Sequence, residues 1–444
     1  MSIKLSDSFT YKKLLRFTLP SVVMMVFTSI YGVVDGFFVS NYVGATQFAA
    51  VNLIMPFLMI FGVFGFMVGQ GGSALVSVTL GSGDEKRANS IFSLLVYLLA
   101  AVGLILTLLG IVLVRPVAKA LGASDDMLPY CVTYGRILMT SLVPFMLQNA
   151  FQSFFVTAER PELGLKITVA AGFVNMFLDF LLTAVIKGGV VGAGLATAIS
   201  QYIGGIIPLI YFIMPNKSRL QLGRTKFNGN AVIITCTNGS SEFMTNVSMS
   251  VVNMLYNYQL MKLVGENGVS AYGVIMYVSF IFNAVFIGYS MGCVPVVGYH
   301  YGAQNNTELK SLLKKSLVIV AVFSVLLTVL AEVLAGLMAG IFVSYDKELF
   351  ELTKRGFMLF SISYAITGFN IFASSFFTAL NNGFVSALIS FARTLVFQIF
   401  SVMLLPLIFG IDGIWLSIVF AESMAVVLTI SCFMLNRRKY NYWG

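Results

Sequence analysis

Apolar residues run through this chain in long, nearly unbroken stretches separated by short polar punctuation. That is the pattern of segments that must satisfy every backbone group internally while surrounded by hydrocarbon. Twelve stretches are long enough to span a bilayer: 17–40, 49–77, 90–113, 131–154, 165–186 and 190–214, then 231–258, 269–298, 312–341, 356–379, 384–409 and 413–435. Barrel strands need only about ten alternating residues, so the stretches predict helices and an all-α membrane protein with twelve transmembrane helices. The second and eighth exceed what a bilayer requires, which predicts tilt or protrusion. Basic residues ahead of the first apolar run give it the outline of a signal peptide. The run is too long and is interrupted by Asp35, so it reads as a retained first span.

The pattern also repeats. Displacing the chain by 221 positions aligns Val43 and Gly44 with Val264 and Gly265, Ile54 and Met55 with Ile275 and Met276, Gly71 with Gly292, and Gly81 with Gly302. The register continues ungapped to Asn149 and Asn370, Thr157 and Thr378, and Gly189 and Gly410. A repeat this persistent marks a duplication. Six passes per unit is an even number, so both units sit the same way up, as two six-helix lobes related by a pseudo-twofold axis along the membrane normal. The expected division is an N-lobe of residues 1–222 and a C-lobe of residues 223–444. The basic stretch from Met214 to Asn230 joins them and reads as a flexible strap.

Composition narrows the class. The chain is 58% hydrophobic and 10% charged, with 40 phenylalanines, so its solvent is mostly lipid. The net charge of +9 is unevenly placed. With a cytoplasmic N-terminus, about eighteen Lys and Arg fall on inner segments against about eight outside, which puts both termini in the cytoplasm of a multi-pass cell-membrane protein. No basic patch interleaved with aromatics points to nucleic acid. Cys131, Cys236, Cys293 and Cys432 lack metal or redox spacing. Nucleotide-binding and hydrolase motifs are absent, so neither an enzyme nor a cofactor is expected. Neither a filter repeat nor a continuous polar lining supports a channel.

Candidate chemistry lies in the few charges left inside the membrane, since each costs several kcal/mol unless paired or hydrated. They are Asp35, Asp179, Glu242, Glu332, Glu422 and Arg393, with Glu332 close to a helix end and therefore weighted least. Asn175 and Asp179, four residues apart, stand on one helix face and offer an amide oxygen and a carboxylate to the same point. Such oxygens suit Na+, and a poorly hydrated carboxylate exchanges protons near neutrality, so a cation switch of either kind fits. The competing reading is a mid-span aspartate that bonds to a neighbouring helix and holds the bundle together. Arg393 and Glu422 lie on successive spans and read as a structural ion pair ahead of a proton relay. The lone His300 cannot build a metal site and reads as packing. Tyr31, Asn52, Gln70, Asn149, Asn253, Tyr256 and Tyr277 are polar or amphipathic candidates for lining a cavity at the seam. Methionine and phenylalanine facing that seam would make it adaptable.

Leu80-Gly-Ser-Gly-Asp-Glu-Lys-Arg-Ala-Asn89 with its partner Tyr301-Gly-Ala-Gln304, Thr157-Ala-Glu-Arg-Pro161, Val34-Asp35, and the Asn175 to Asp179 element followed by Gly192-Ala-Gly-Leu-Ala-Thr197 carry a resemblance over essentially the full length. On these residues the chain resembles the multidrug and toxic compound extrusion (MATE) transporters, most closely the DinF-like branch. The resemblance implies a secondary active, two-lobe, monomeric antiporter that exports small amphipathic, often cationic drugs in exchange for Na+ or H+. It also implies that Asp35, Asn175, Asp179 and Thr197 form an N-lobe cation site. Glu242 matches an acidic residue of the NorM-like branch, which suggests a substrate or proton group. Asn370 stands where that branch has an aspartate, so a full C-lobe carboxylate site is not expected. The alternative is a flippase for lipid-linked oligosaccharides of the same superfamily. Such proteins have a cationic cavity, whereas here Arg393 is the one cation expected in mid-membrane.

Overall fold

The computed structural model describes residues 3–442. Among them every regular element is helical: α1 (Tyr11–Tyr42), α2 (Ala45–Gly81), α3 (Glu85–Ala120), α4 (Leu128–Thr140), α5 (Leu142–Thr157), α6 (Pro161–Asp179), α7 (Gly189–Ile213), α8 (Gly229–Leu263), α9 (Glu266–Gly302), α10 (Asn306–Val343), α11 (Lys347–Ser361), α12 (Tyr364–Ala379), α13 (Gly383–Phe391), α14 (Phe397–Phe409) and α15 (Ile411–Tyr440). π-helical turns at Phe180–Val185 and Ala392–Val396 extend α6 and join α13 to α14. The sequence offset survives as geometry, since α2 and α9 begin and end at positions 221 apart. Positive φ recurs at the same offset, at Gly44 and Gly265, Gly83 and Gln304, and Gly189 and Gly410. Asp84 and Asn305, another such pair, cap α3 and α10 by accepting from Arg87 N at 3.0 Å and Glu308 N at 3.1 Å.

Among the described residues, nine helices, and two further bent helix pairs, are long and apolar enough to cross a membrane. The twelfth span is α8, whose Thr235, Asn238, Ser241, Glu242, Thr245 and Asn246 make it the most polar of the set. The fourth and tenth stretches, read from the sequence as single spans, are bent by 54° at Ser141 and by 49° between α11 and α12. The first bend has a visible cause. Pro144 carries no N–H to donate to the carbonyl of Thr140, and that carbonyl accepts instead from the Tyr202 hydroxyl at 2.8 Å.

The two halves meet through α1 on α9, α2 on α8, and α2 on α9. A Cβ on Gly81 would lie 2.0 Å from the carbonyl oxygen of Tyr299, and one on Gly302 would lie 2.0 Å from that of Val78. Val78 and Tyr299 are themselves 221 apart, so the crossing is isologous, each half presenting the same patch to the other. Ser77 faces its own repeat mate Gly298, with its hydroxyl 2.3 Å from where a Cβ would stand. The pseudo-twofold axis therefore passes between these two residues. These contacts lie on the face that carries the N-terminus. Farther along, the halves touch at Ser29 Oγ, which donates to Phe280 O at 3.4 Å, and at the Phe64 and Phe243 rings, 5.8 Å apart. Beyond them Gly36 on α1 and Gly273 on α9 have nothing within 4 Å of a Cβ position. The halves are closed against each other on the N-terminal face, while these two positions farther along are unpacked.

Two segments on the closed face differ from expectation. The linking segment is pinned down and does not hang as a loose strap. Leu220 and Leu222 are buried, Gln221 N donates to Asn89 Oδ1 at 2.7 Å, and Gly223 N donates to Ser93 Oγ at 3.0 Å. Two apolar side chains in an otherwise basic stretch supply the anchor. The N-terminal segment ahead of α1 bridges the halves, with Leu5 N donating to Glu159 Oε1 and Phe9 N to Glu308 Oε1, both at 2.8 Å. Lys315 Nζ donates to the carbonyl of Phe9. His300 is buried with its ring edge-on to Phe9, 6.3 Å between centroids, and neither ring nitrogen has a hydrogen-bond partner among the described residues. Replacing Glu308 by alanine strips the Phe9 amide of a charged acceptor. It should lower stability by about 1.5–3 kcal/mol, seen as a fall in the thermal midpoint followed by tryptophan fluorescence in detergent.

Candidate cation site

Three helices of the N-terminal half bring the sequence candidates together. α1 carries Asp35, α6 carries Asn175 and Asp179, and α7 carries Thr197. α1 is seated on α6 by Phe27 and Phe173, whose ring centroids are 5.5 Å apart. Asp35 faces Asp179, Thr197 and Asn175, and Thr197 Oγ1 donates to Asp35 Oδ1 at 3.4 Å while also reaching Ala193 O at 3.2 Å. Asn175 and Asp179 are 1% and 0% exposed. Both polar side-chain atoms of each lack a protein partner, an uncommon condition for buried polar groups.

Two carboxylates facing one another, Asp179 fully buried and Asp35 half-buried, do not both carry charge without cost. Unit charges about 4 Å apart repel by about 4 kcal/mol at an effective dielectric constant of about 20. A proton, or a small hard cation taking the free oxygens, relieves the repulsion. Directly after Asp179 the helix widens into the π-turn Phe180–Val185, where the Thr183 hydroxyl donates back to the carbonyl of Asp179. Such turns recur at functional sites because they redirect side chains. Among the described residues no cluster of three or more His, Cys, Asp or Glu is arranged to hold a metal ion, so the donor set here is two carboxylates, an amide and a hydroxyl.

The structure adds Tyr134. It sits on α4, 1% exposed, and faces Asp35, Asp179 and Thr197. Nothing in the sequence singled it out, because a tyrosine in an apolar stretch announces neither its partner helix nor its direction.

The C-terminal half is built differently at the equivalent places. Counting 221 onward, Asp35, Asp179 and Thr197 become Tyr256, Phe400 and Ile418. Its charges form another network: Arg393 Nη1 donates to Glu422 Oε1 at 3.0 Å, Asn370 Nδ2 to Glu422 Oε2 at 2.7 Å, and Thr429 Oγ1 to Asn370 Oδ1 at 2.9 Å. Arg393 stands on the second π-turn. Glu422 is thus neutralised and hydrogen-bonded on both oxygens, and a cation could take it only by displacing the arginine. Glu242 on α8 faces Arg393 without an ion pair closer than 4.0 Å.

The remaining candidates scatter. Gln70 on α2 and Asn149 on α5 are buried, each with one side-chain polar atom lacking a partner, as is Gln148 beside Asn149. Asn52 is exposed and Tyr31 half-buried on the faces of α2 and α1. Tyr277 is 47% exposed on α9. Asn253 accepts from the Tyr272 hydroxyl at 2.7 Å. Tyr256 is enclosed within the C-terminal half, stacked on Tyr272 with centroids 4.8 Å apart and donating to Gln398 Oε1 at 3.1 Å.

Comparison with known proteins gives the following. The family model MatE matches residues 20–181 and 243–404, two blocks of equal length, one in each half. The multidrug export protein MepA of Staphylococcus haemolyticus (strain JCSC1435) is 24% identical over 426 residues, covering 96% of this chain and 93% of that protein. MepA of Staphylococcus aureus (strain MRSA252) is 22% identical over 429 residues, covering 96% and 94%. Among solved structures, MATE in complex with MaL6 superposes with a TM-score of 0.91 at 19% identity, covering 98% of this chain and 97% of that one. An outward-facing multidrug resistance MATE family transporter of the MOP superfamily gives 0.90 at 20% identity, with the same coverage.

Proposed function

Since the chain belongs to the MatE family, we propose that it is a multidrug efflux antiporter whose coupling cation is handled by Asp35, Asn175, Asp179 and Thr197. The observation that supports this reading is the pair of facing carboxylates in the N-terminal half, with both oxygens of Asp179 and both polar atoms of the neighbouring Asn175 buried and without protein partners. The division into lobes at 222 and 223, and the cytoplasmic placement of both termini, belong to the same proposal. They are supported by the repeat offset and by the lysines and arginines gathered on the closed face.

Export then proceeds by exchange. With the cavity open to the cytoplasm or inner leaflet, a lipophilic cation is held by charge and by aromatic faces. Rocking of the lobes reverses access, and an entering Na+ or H+ takes the aspartate pair and removes the attraction that held the cargo. One Na+ or H+ entering for one singly charged cargo leaving moves no net charge, so the ion's concentration gradient drives the exchange, and a ten-fold gradient, about 1.4 kcal/mol, supports a cargo gradient of about ten-fold. For a neutral cargo a potential of about 100 mV adds about 2.3 kcal/mol. The C-terminal Arg393 and Glu422 pair, already neutralised, fits a supporting role.

The test is efflux of ethidium from proteoliposomes, driven separately by a sodium gradient and by a pH gradient. Accumulation of dye against its gradient under one of these drives is expected. Ion flux without dye movement, thousands of ions per protein, would indicate a channel and overturn the reading.

A further inference from the structure

Away from the aspartates, a cavity of about 530 Å³ opens on the N-terminal face between the first turns of α1 and α6 and the end of α7. Its polar wall holds Arg16, Arg160 and Lys166, and its apolar wall includes Phe17, Pro20 and Leu163. Two glutamates also border it, yet they do not cancel the positive charge. Glu159 accepts from Leu5 N at 2.8 Å and faces Arg219 at 3.4 Å, so its charge is already answered. Burial lifts its pKa above the usual carboxylate value, with the Leu5 amide and Arg219 opposing. Glu162 is exposed in the first turn of α6, where it complements the helix dipole. Among the described residues no carboxylate lies within 4.0 Å of Arg16, Arg160 or Lys166. Arg160 donates one N–H to Lys217 O at 3.2 Å and keeps the rest.

The apolar side continues onto the lipid-facing surface of the same helices. Leu19 and Val23 on α1 are 56% and 42% exposed, and Phe173 and Phe177 on α6 are 59% and 61% exposed. Three unpaired cations at a helix end, above a greasy groove that descends into hydrocarbon, match one occupant in charge and shape. We propose that this cavity binds the headgroup phosphate of an anionic phospholipid, with its acyl chains along α1 and α6. Basic pockets between spans at the membrane surface select such headgroups, and long Arg and Lys side chains reach them by snorkelling. α1 and α6 are also the helices that hold Asp35 and Asp179, so a bound lipid braces the pair on which the aspartates stand.

Native mass spectrometry of the full chain, released from nanodiscs of mixed phosphatidylglycerol and phosphatidylcholine, tests this without any transport step. Wild type should retain phosphatidylglycerol preferentially. Arg16→Gln with Lys166→Gln should cut that preference about thirty-fold, two basic groups' worth, while the charge-preserving Arg16→Lys with Lys166→Arg keeps most of it. The thermal midpoint in phosphatidylcholine alone should be unchanged for both variants, which separates lost binding from lost folding. Equal retention of the two lipids by wild type would overturn the proposal, as would a preference that survives the glutamine pair. Full competition by millimolar inorganic phosphate would show a free-anion site instead of a lipid site.

Discussion

Asp35→Asn and Asp179→Asn, made singly, should each reduce gradient-driven ethidium export by about two to three orders of magnitude, while the protein still inserts and is at least as heat-stable as wild type. The substitution is nearly isosteric and keeps hydrogen-bonding capacity, so a carboxylate that merely ties one helix to another would be largely spared. A carboxylate that must alternate between cargo and a small cation would not, because only its charge changes hands. The stability half of the prediction has a sign of its own. Asp35 faces Asp179, and removing one of two like charges in a poorly hydrated site relieves a repulsion of about 4 kcal/mol at most. The thermal midpoint should therefore stay level or rise. A structural aspartate predicts the opposite, a fall with transport largely intact. If both variants pump at the wild-type rate, coupling does not reside in this half, and Glu242→Gln becomes the informative substitution.

Much of the architecture was legible because lipid imposes a coarse rule. Backbone groups must be satisfied within each segment, so the spans announced themselves as apolar runs, and duplication doubled the signal. Even α8, the most polar span, ends 221 positions after its repeat mate α1. The buried charges were legible for the same reason, since Asp35, Asp179, Arg393 and Glu422 stand out against hydrocarbon. What was hidden depends on direction and on long-range contact. Tyr134 reaches the aspartates from α4, whose direction is set by the bend at Ser141, where the Tyr202 hydroxyl satisfies the Thr140 carbonyl that Pro144 leaves free. The π-turns at Phe180–Val185 and Ala392–Val396 have no local sequence signature. Leu220 and Leu222 pin the linking segment through side chains that look unremarkable in a basic loop. Tyr256 had the right composition for a cavity wall, yet its stacking on Tyr272 turns it inward.

A second large effect is expected where the halves cross. Gly81→Ala combined with Gly302→Ala should open the N-terminal face and lower export at least ten-fold, although neither residue is near a charge in the membrane. Both glycines close their helices without a positive φ, and alanine is the better helix former, so neither helix by itself loses. The loss has to come from the contact. A Cβ would sit 2.0 Å from the carbonyl oxygen of Tyr299 on one side and of Val78 on the other, and the obstacle is backbone, which cannot rotate away. Overpacking of this kind costs about 1–3 kcal/mol per site, and the two sites are repeat mates on one crossing, so they push the halves apart in the same direction. Small residues at a helix crossing serve close approach of the backbones, and here that approach closes one side of the transport path. Spin labels at Lys86→Cys and Thr307→Cys, in a background with the four native cysteines replaced by serine, report the separation directly. The double variant should shift their distance distribution to longer values, while Gly273→Ala, at a helical position on α9 with nothing within 4 Å and no positive φ, leaves it unchanged. An unshifted distribution with full export would mean that the closed face tolerates separation and that the crossing does not gate transport.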